Sequence, residues 1–287
     1  MPKLSQIAYI LGMPRAGTTF LYHNLQKHPQ IYVPFRRKSN YFSLHRDKPQ
    51  EWFLNHFKEI HENQIGIDTE TLYFADKHLK SFEQIHQFNP DAKVMLFVRK
   101  PGEWAWSFYK QIATFDKNII PFENFLQGDY VLIEDGKEVP YNITDGDIKY
   151  LITSVMETFK GNALIVNFEL FERDPLTLLQ EIENFLGIAP HFSSSNFENK
   201  KINASNRGHI HFLAALLRQQ WLINLLNLLP RSFVIFIRRS YDNLSAFMSK
   251  KQPKDTLSPE VLFAAKVYAE DELYVKDLFA KNDIVHA

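Results

Sequence analysis

The segment Gly12-Met-Pro-Arg-Ala-Gly-Thr-Thr19 constrains the fold more than any other part of the chain. It follows Ile7 to Leu11, a short apolar run of β-forming residues. After it, Phe20, Leu21, Leu25 and His28 recur at helical spacing until Pro29. The pattern reads as strand, tight loop, helix. Gly12 and Gly17 have the Gly-x-x-x-x-Gly spacing of a phosphate-binding loop, with Pro14 stiffening it. Gly17 allows the backbone to approach a ligand closely. The amides of Ala16, Gly17, Thr18 and Thr19 then sit at a helix N-terminus, where unpaired donors and the helix dipole favour an anion. No lysine follows Gly17, where a nucleotide-hydrolysing loop carries one; the cation is Arg15. Taken alone, the same eight residues also read as a glycine-containing turn ahead of a helix.

Further apolar runs alternate with helical patterns. Ile31 to Val33 is a short strand, and Val94 to Val98 is a buried-strand run after the turn Asn89-Pro-Asp91. Pro101 then opens a helix at a position where proline is tolerated. Ala163 to Val166 predicts another strand, followed by a helix from about Asp174 to Leu186 that Gly187 stops. Strands alternating with helices predict an α/β fold with a short, mostly parallel sheet flanked by helices. No repeat or domain boundary interrupts residues 1–287, so a single unit is expected, with a helical C-terminal cap over about 208–287. From Lys200 to Lys251 there are nine Lys and Arg against one acid, Asp242. Gln220, Asn224 and Asn227 share one face of an otherwise apolar helix there. This region reads either as a cap packed on the sheet or as a basic, apolar surface in peripheral contact with a membrane or an amphiphilic acceptor.

Lys plus Arg and Asp plus Glu are equal at 33 each, which gives no general reason to expect nucleic-acid binding. The absence of cysteine excludes disulfides, thiolate metal sites and a cysteine nucleophile. The N-terminus lacks the apolar core and cleavage site of a signal peptide, so a cytoplasmic location is expected. Phe212 to Ile237 is broken by Arg218, Pro230 and Arg231, short of the ~20 apolar residues of a spanning helix. No metal-ligand cluster stands out; His209 and His211, two residues apart, do not share a helix face.

A second motif is Val98-Arg99-Lys-Pro-Gly-Glu-Trp-Ala-Trp-Ser107. Arg99 ends a strand at its C-terminal edge, where open α/β sheets bind ligands. Ser107 lies about two turns into the next helix, so both side chains can converge on one phosphate, the arginine bidentately. Each alone is also explained by a salt bridge or a helix hydroxyl.

Together these segments resemble the sulfotransferases that use 3′-phosphoadenosine 5′-phosphosulfate (PAPS). Pro14-Arg-Ala-Gly-Thr-Thr-Phe-Leu is similar to that family's 5′-phosphosulfate loop, and Arg99 with Ser107 to its 3′-phosphate motif. His28-Pro29, Asn40-Tyr-Phe-Ser43, Pro90-Asp-Ala-Lys93, Phe168-Glu169, Phe185-Leu-Gly187 and Leu257-Ser-Pro-Glu260 are similar to its bacterial branch. The resemblance implies that Arg15 and the amides of Ala16, Gly17, Thr18 and Thr19 hold the 5′-phosphosulfate. It implies that Phe20 meets the adenine, and that Arg99 and Ser107 read the 3′-phosphate. Lys200, Lys201, Arg207 and Gly208 resemble the basic loop that closes over that phosphate. The donor would be PAPS, the product 3′-phosphoadenosine 5′-phosphate, and the acceptor a small molecule or glycan, with no metal required. A P-loop small-molecule kinase is disfavoured by the missing lysine and by Arg99 at the strand end where a Mg²⁺-binding acid is expected. A non-catalytic PAPS-binding protein is the other alternative.

One position departs from the family pattern. Many members carry a general-base glutamate just before the aromatic doublet, and alignment on Tyr41-Phe42 puts Lys38 there. An ammonium is a poor base at neutral pH unless burial depresses its pKa. Asp68 and Glu70 lie where the family has a strand end facing the acceptor, and His78 lies near the family's catalytic histidine count. Any of the three can supply the base, or the acceptor is nucleophilic without help. Arg36, Arg37 and Lys38, with Tyr41 beside them, suit an anionic acceptor or form a solvated charge run. Phe168 replaces a tyrosine common in the family, which removes a hydroxyl contact to adenine.

Overall fold

The computed structural model describes residues 3–34, 38–70, 72, 80–114, 116, 118–128, 130–197 and 258–287. In chain order, β1 (Ile7–Ile10) leads into α1 (Thr18–Leu25), and β2 (Ile31–Tyr32) precedes α2 (Tyr41–Leu44) and α3 (Gln50–Leu54). Then come β3 (Ile65–Thr69), α4 (Ser81–Phe88), β4 (Val94–Val98), α5 (Pro101–Ala113) and α6 (Phe122–Phe125). A hairpin, β5 (Tyr130–Glu134) and β6 (Lys137–Tyr141), precedes α7 (Asp147–Thr158), β7 (Ala163–Asn167), α8 (Phe168–Arg173) and α9 (Pro175–Leu186). The last elements are α10 (Pro259–Val267), α11 (Ala269–Leu278) and β8 (Ile284–His286).

Six strands form one sheet in the order β2-β3-β1-β4-β7-β8. All pairs are parallel except β7 with β8. Every residue of β4 is buried, as a continuous apolar run at the centre of a covered parallel sheet requires. The expected α/β sheet flanked by helices is therefore present. Proline and an acid set the start of α9: Pro175 is its first residue, and Asp174 accepts from the Thr177 amide.

Besides β1, β2, β4 and β7, four further strands are present among the described residues. In β3, Ile65-Gly-Ile-Asp-Thr69 is covered by the rest of the fold; a Cβ on Gly66 would lie 2.6 Å from the Phe57 ring, so glycine lets that ring seat against the strand. The β5–β6 hairpin turns at Asp135 and Gly136, both at positive φ, and stands apart from the main sheet. β8 adds an antiparallel edge strand after α10 and α11. Residues 208–257 of the expected cap lie outside the described residues; α10 and α11 are described. Gly102 is the close approach of α10 to α5, since a Cβ there would lie 2.7 Å from the Val261 carbonyl oxygen. Asp271 of α11 accepts from the amides of Gly146, Ile148 and Lys149 at the start of α7. Asp145 in turn accepts from the Glu270 and Asp271 amides.

Candidate active site

The ends of β1, β3, β4 and β7 share one edge of the parallel sheet, and the candidate residues follow them. After β1 the chain turns through Met13 to Gly17, with the Ala16 amide bonded to the Met13 carbonyl at 3.2 Å. Arg15 (φ 70°) and Gly17 (φ 84°) both hold left-handed backbone. Side chains with a Cβ rarely adopt this, so the loop stores local strain at Arg15. Gly12 is equally constrained, because a Cβ would meet Thr18 Cγ2 at 2.9 Å. Gly17 caps α1 with no side-chain hydrogen bond to the first-turn amides. Helix geometry leaves the Thr18 and Thr19 amides without intrahelical acceptors, while the Phe20 amide donates to the Gly17 carbonyl at 3.0 Å.

Arg15 reaches out of this loop to α5, and its Nε donates to Ser107 Oγ at 3.2 Å. The two motifs are thereby physically joined. Arg99, at the end of β4, pairs with Glu103 (Nη2 to Oε2 3.1 Å) and lies over the Phe168 ring at 5.0 Å. Phe168 stacks with Phe171 at 5.3 Å, and Phe171 meets the Phe20 ring edge-on at 4.7 Å. Phe20 is buried in this aromatic cluster, and Phe168 is the more open face of it. The sequence motifs do not announce Lys110, one turn beyond Ser107. Burial pushes its ammonium below the usual lysine range, and the nearby Arg99 and Arg15 push it further. Three cations thus sit at one place on the sheet edge. Lys100 pairs with Glu169 at the mouth of the same edge.

The neighbouring part of the sheet edge is built by β3 and α2. Asp68 is buried and accepts from Ser39 through both the amide (3.3 Å) and the hydroxyl (2.8 Å). Glu70 is fully buried just past β3, its amide bonded to the Ile10 carbonyl of β1 at 3.1 Å. Its Oε1 accepts from Ser43 Oγ at 2.5 Å, and its Oε2 is a buried oxygen without a hydrogen-bond partner among the described residues. Burial pushes this carboxyl up to about 8; the Ser43 hydroxyl and Lys38 pull it back, while Asp68 and Glu134 add to the rise. Lys38 lies 3.6 Å from Glu134 of the hairpin. Asp135 accepts from Asn40 Nδ2 at 2.9 Å and lies 3.1 Å from His45 Nε2, so the hairpin turn is fastened over this segment. Tyr41 stacks on Phe53 at 5.1 Å and donates its hydroxyl to the Lys48 carbonyl. Arg36, Arg37, His78, Lys200, Lys201, Arg207 and Gly208 lie outside the described residues. Among the described residues no group of three metal-ligating side chains converges, and no helix is long and apolar enough to cross a membrane.

Residues 8–212 match the family model of the sulfotransferase domain. The chain belongs to this sulfotransferase family. Heparan sulfate glucosamine 3-O-sulfotransferase 5 of Mus musculus is 25% identical over 206 residues, covering 66% of this chain and 55% of that protein. The membrane-associated sulfotransferase kil1 of Dictyostelium discoideum is 31% identical over 102 residues, covering 35% of this chain and 21% of that one. The chain therefore spans about half the length of the first relative and a fifth of the second. A sulfotransferase crystal structure from Alicyclobacillus acidocaldarius shares the fold at a TM-score of 0.53 and 17% identity, over 68% of this chain and 86% of that one.

Proposed function

We propose that the chain moves a sulfuryl group from PAPS to a hydroxyl or amine acceptor on a small molecule or glycan. The observation that carries this reading is the 3.2 Å bond from Arg15 Nε to Ser107 Oγ, which joins the loop after β1 to the helix that follows Arg99. The open amides of Thr18 and Thr19, with Arg15, suit the phosphosulfate. Arg99, Ser107 and Lys110 suit the second phosphate, and the Phe168 face suits the adenine. Lys200, Lys201, Arg207 and Gly208 would add to the same phosphate site.

Sulfuryl transfer is an in-line displacement that spreads negative charge over the leaving phosphate and the sulfuryl oxygens. The protein's part is to position the reactants and to meet that charge with fixed donors, here the loop amides and Arg15. By analogy with phosphoryl transfer, no covalent intermediate is required. Glu70 is the candidate base. It is the buried carboxyl with an unpartnered oxygen, whereas both oxygens of Asp68 are engaged by Ser39. The glycan class draws support from the heparan sulfate relative. Contact with a membrane surface draws support from the amoebal relative's name and from the basic stretch at 200–251.

Incubation with labelled PAPS and a panel of hydroxyl, amine and oligosaccharide acceptors, read by mass spectrometry, tests the reading. Label should appear on an acceptor with release of 3′-phosphoadenosine 5′-phosphate. Tight binding of that nucleotide with no transfer to any acceptor would instead mark a non-catalytic binder.

A further inference from the structure

Glu70 has no exposed surface, so a bulky acceptor cannot reach its carboxyl directly. Ser43, bonded to Glu70, retains 8% exposure. Its Oγ lies 2.5 Å from Glu70 Oε1 and 3.4 Å from the Asn40 carbonyl oxygen. The hydroxyl therefore has two acceptors, one for each protonation state of Glu70. With the carboxylate ionised, Ser43 donates to Glu70. With the carboxyl protonated, Glu70 donates to Ser43 and Ser43 donates to Asn40. Both arrangements give each proton of the pair an acceptor, so one proton can cross from Ser43 to Glu70 Oε1 while Oε2 keeps the same surroundings.

Resting on the sulfotransferase reading above, we propose that Ser43 is a catalytic residue that relays the acceptor's proton to Glu70. As the acceptor oxygen forms its bond to sulfur, its proton passes to Ser43 Oγ and the Ser43 proton passes to Glu70 Oε1. The bond from sulfur to the 5′-phosphate oxygen breaks, and 3′-phosphoadenosine 5′-phosphate leaves with the electron pair. Glu70 is left neutral and returns its proton to solvent by the reverse path. α2 fixes Ser43 one turn after Asn40, whose left-handed backbone (φ 51°) turns the Asn40 carbonyl toward it. The groups that act on Glu70 are Asp68 from its own strand, Lys38 from the loop before α2 and Glu134 from the hairpin. A carboxyl held near 8 is a far stronger base than an ordinary glutamate, as a task of deprotonating a hydroxyl asks.

Two measurements on the full chain test the relay. The first is hydrolysis of labelled PAPS, with water as the smallest hydroxyl acceptor. Ser43→Ala should slow it on the order of 10²-fold, the lower end for general base catalysis, and Ser43→Thr should restore most of the rate. A wild-type rate no faster than the uncatalysed one, or equal rates in wild type and Ser43→Ala, overturns the relay. The second is an infrared titration of the Glu70 carboxyl, isolated as wild type minus Glu70→Gln. Ser43→Ala should move that titration to higher pH, because the ionised form loses its donor, and Ser43→Thr should move it back. An unmoved titration overturns the relay. Binding of 3′-phosphoadenosine 5′-phosphate by calorimetry separates the two claims. If wild type does not bind it, the sulfotransferase reading fails; if binding is intact in both proteins and only the tests above fail, the relay alone is wrong.

Discussion

Arg15 Nε donates to Ser107 Oγ at 3.2 Å, although the two residues are 92 positions apart in the chain. Arg15 holds a left-handed backbone conformation to do so. The bond ties the turn after β1 to the second turn of α5, so the two segments proposed to hold the 5′-phosphosulfate and the 3′-phosphate are coupled elements.

Coupled elements should behave non-additively. Arg15→Ala and Ser107→Ala, singly and together, should show an interaction free energy of about 0.5–3 kcal/mol in a double-mutant cycle on 3′-phosphoadenosine 5′-phosphate affinity. Calorimetry on the four proteins measures it. Strict additivity would mean that the two motifs act on separate ligands.

Glu70 predicts a pH dependence of stability. Its folded pKa, about 8, lies above the ordinary 4.5. A group raised in this way contributes stability that is fully present below about 4.5 and is lost as pH rises through about 8. Urea unfolding across that range should therefore show a decline that Glu70→Gln removes, since the amide stays neutral. A parallel pH profile in the two proteins contradicts the assignment.

Gly102→Ala probes how α10 sits on α5. The added methyl would meet the backbone of Val261 and Ala265 at 2.7–3.0 Å, atoms that cannot move aside cheaply. A loss of about 1–3 kcal/mol is expected from overpacking. Urea unfolding reads it, and an unchanged midpoint would mean that α10 does not pack there.

Much of this site is visible before folding. The apolar runs of β1, β4 and β7 are continuous because a covered parallel sheet buries both faces, and the proline and glycine punctuation around α5 and α9 is local chemistry. The amides of the phosphate loop follow from the Gly12 and Gly17 spacing. β3 is less legible: its buried Asp68 reads as polar, and partners distant in sequence, Ser39 among them, make that burial tolerable. β8 has three residues and depends on pairing with β7 for its existence. The long-range contacts were hidden for the same reason. Nothing local in Lys110 says that two guanidiniums face it, and nothing in Ser43 says that a buried carboxyl lies behind it.

Gly17→Ala tests the loop itself. The position needs φ of 84°, which a residue with a Cβ rarely adopts, whereas the added Cβ would meet the Phe168 and Phe171 rings only at an ordinary 3.4–3.5 Å. Strain of order 1–3 kcal/mol is expected, with nucleotide affinity falling more than stability because the loop amides would swing out of line. Comparing the calorimetric affinity with the unfolding midpoint separates the two effects. An affinity equal to wild type would show that the amides are not at the ligand.

The most direct measurement is the relative affinity of 3′-phosphoadenosine 5′-phosphate and adenosine 5′-phosphate, by calorimetry at fixed salt, in wild type and Arg99→Ala. Charge-assisted hydrogen bonds to the 3′-phosphate should favour the first nucleotide by at least about 1.5–3 kcal/mol, and Arg99→Ala should erase most of that difference. Equal affinities in the wild-type protein would contradict the PAPS site.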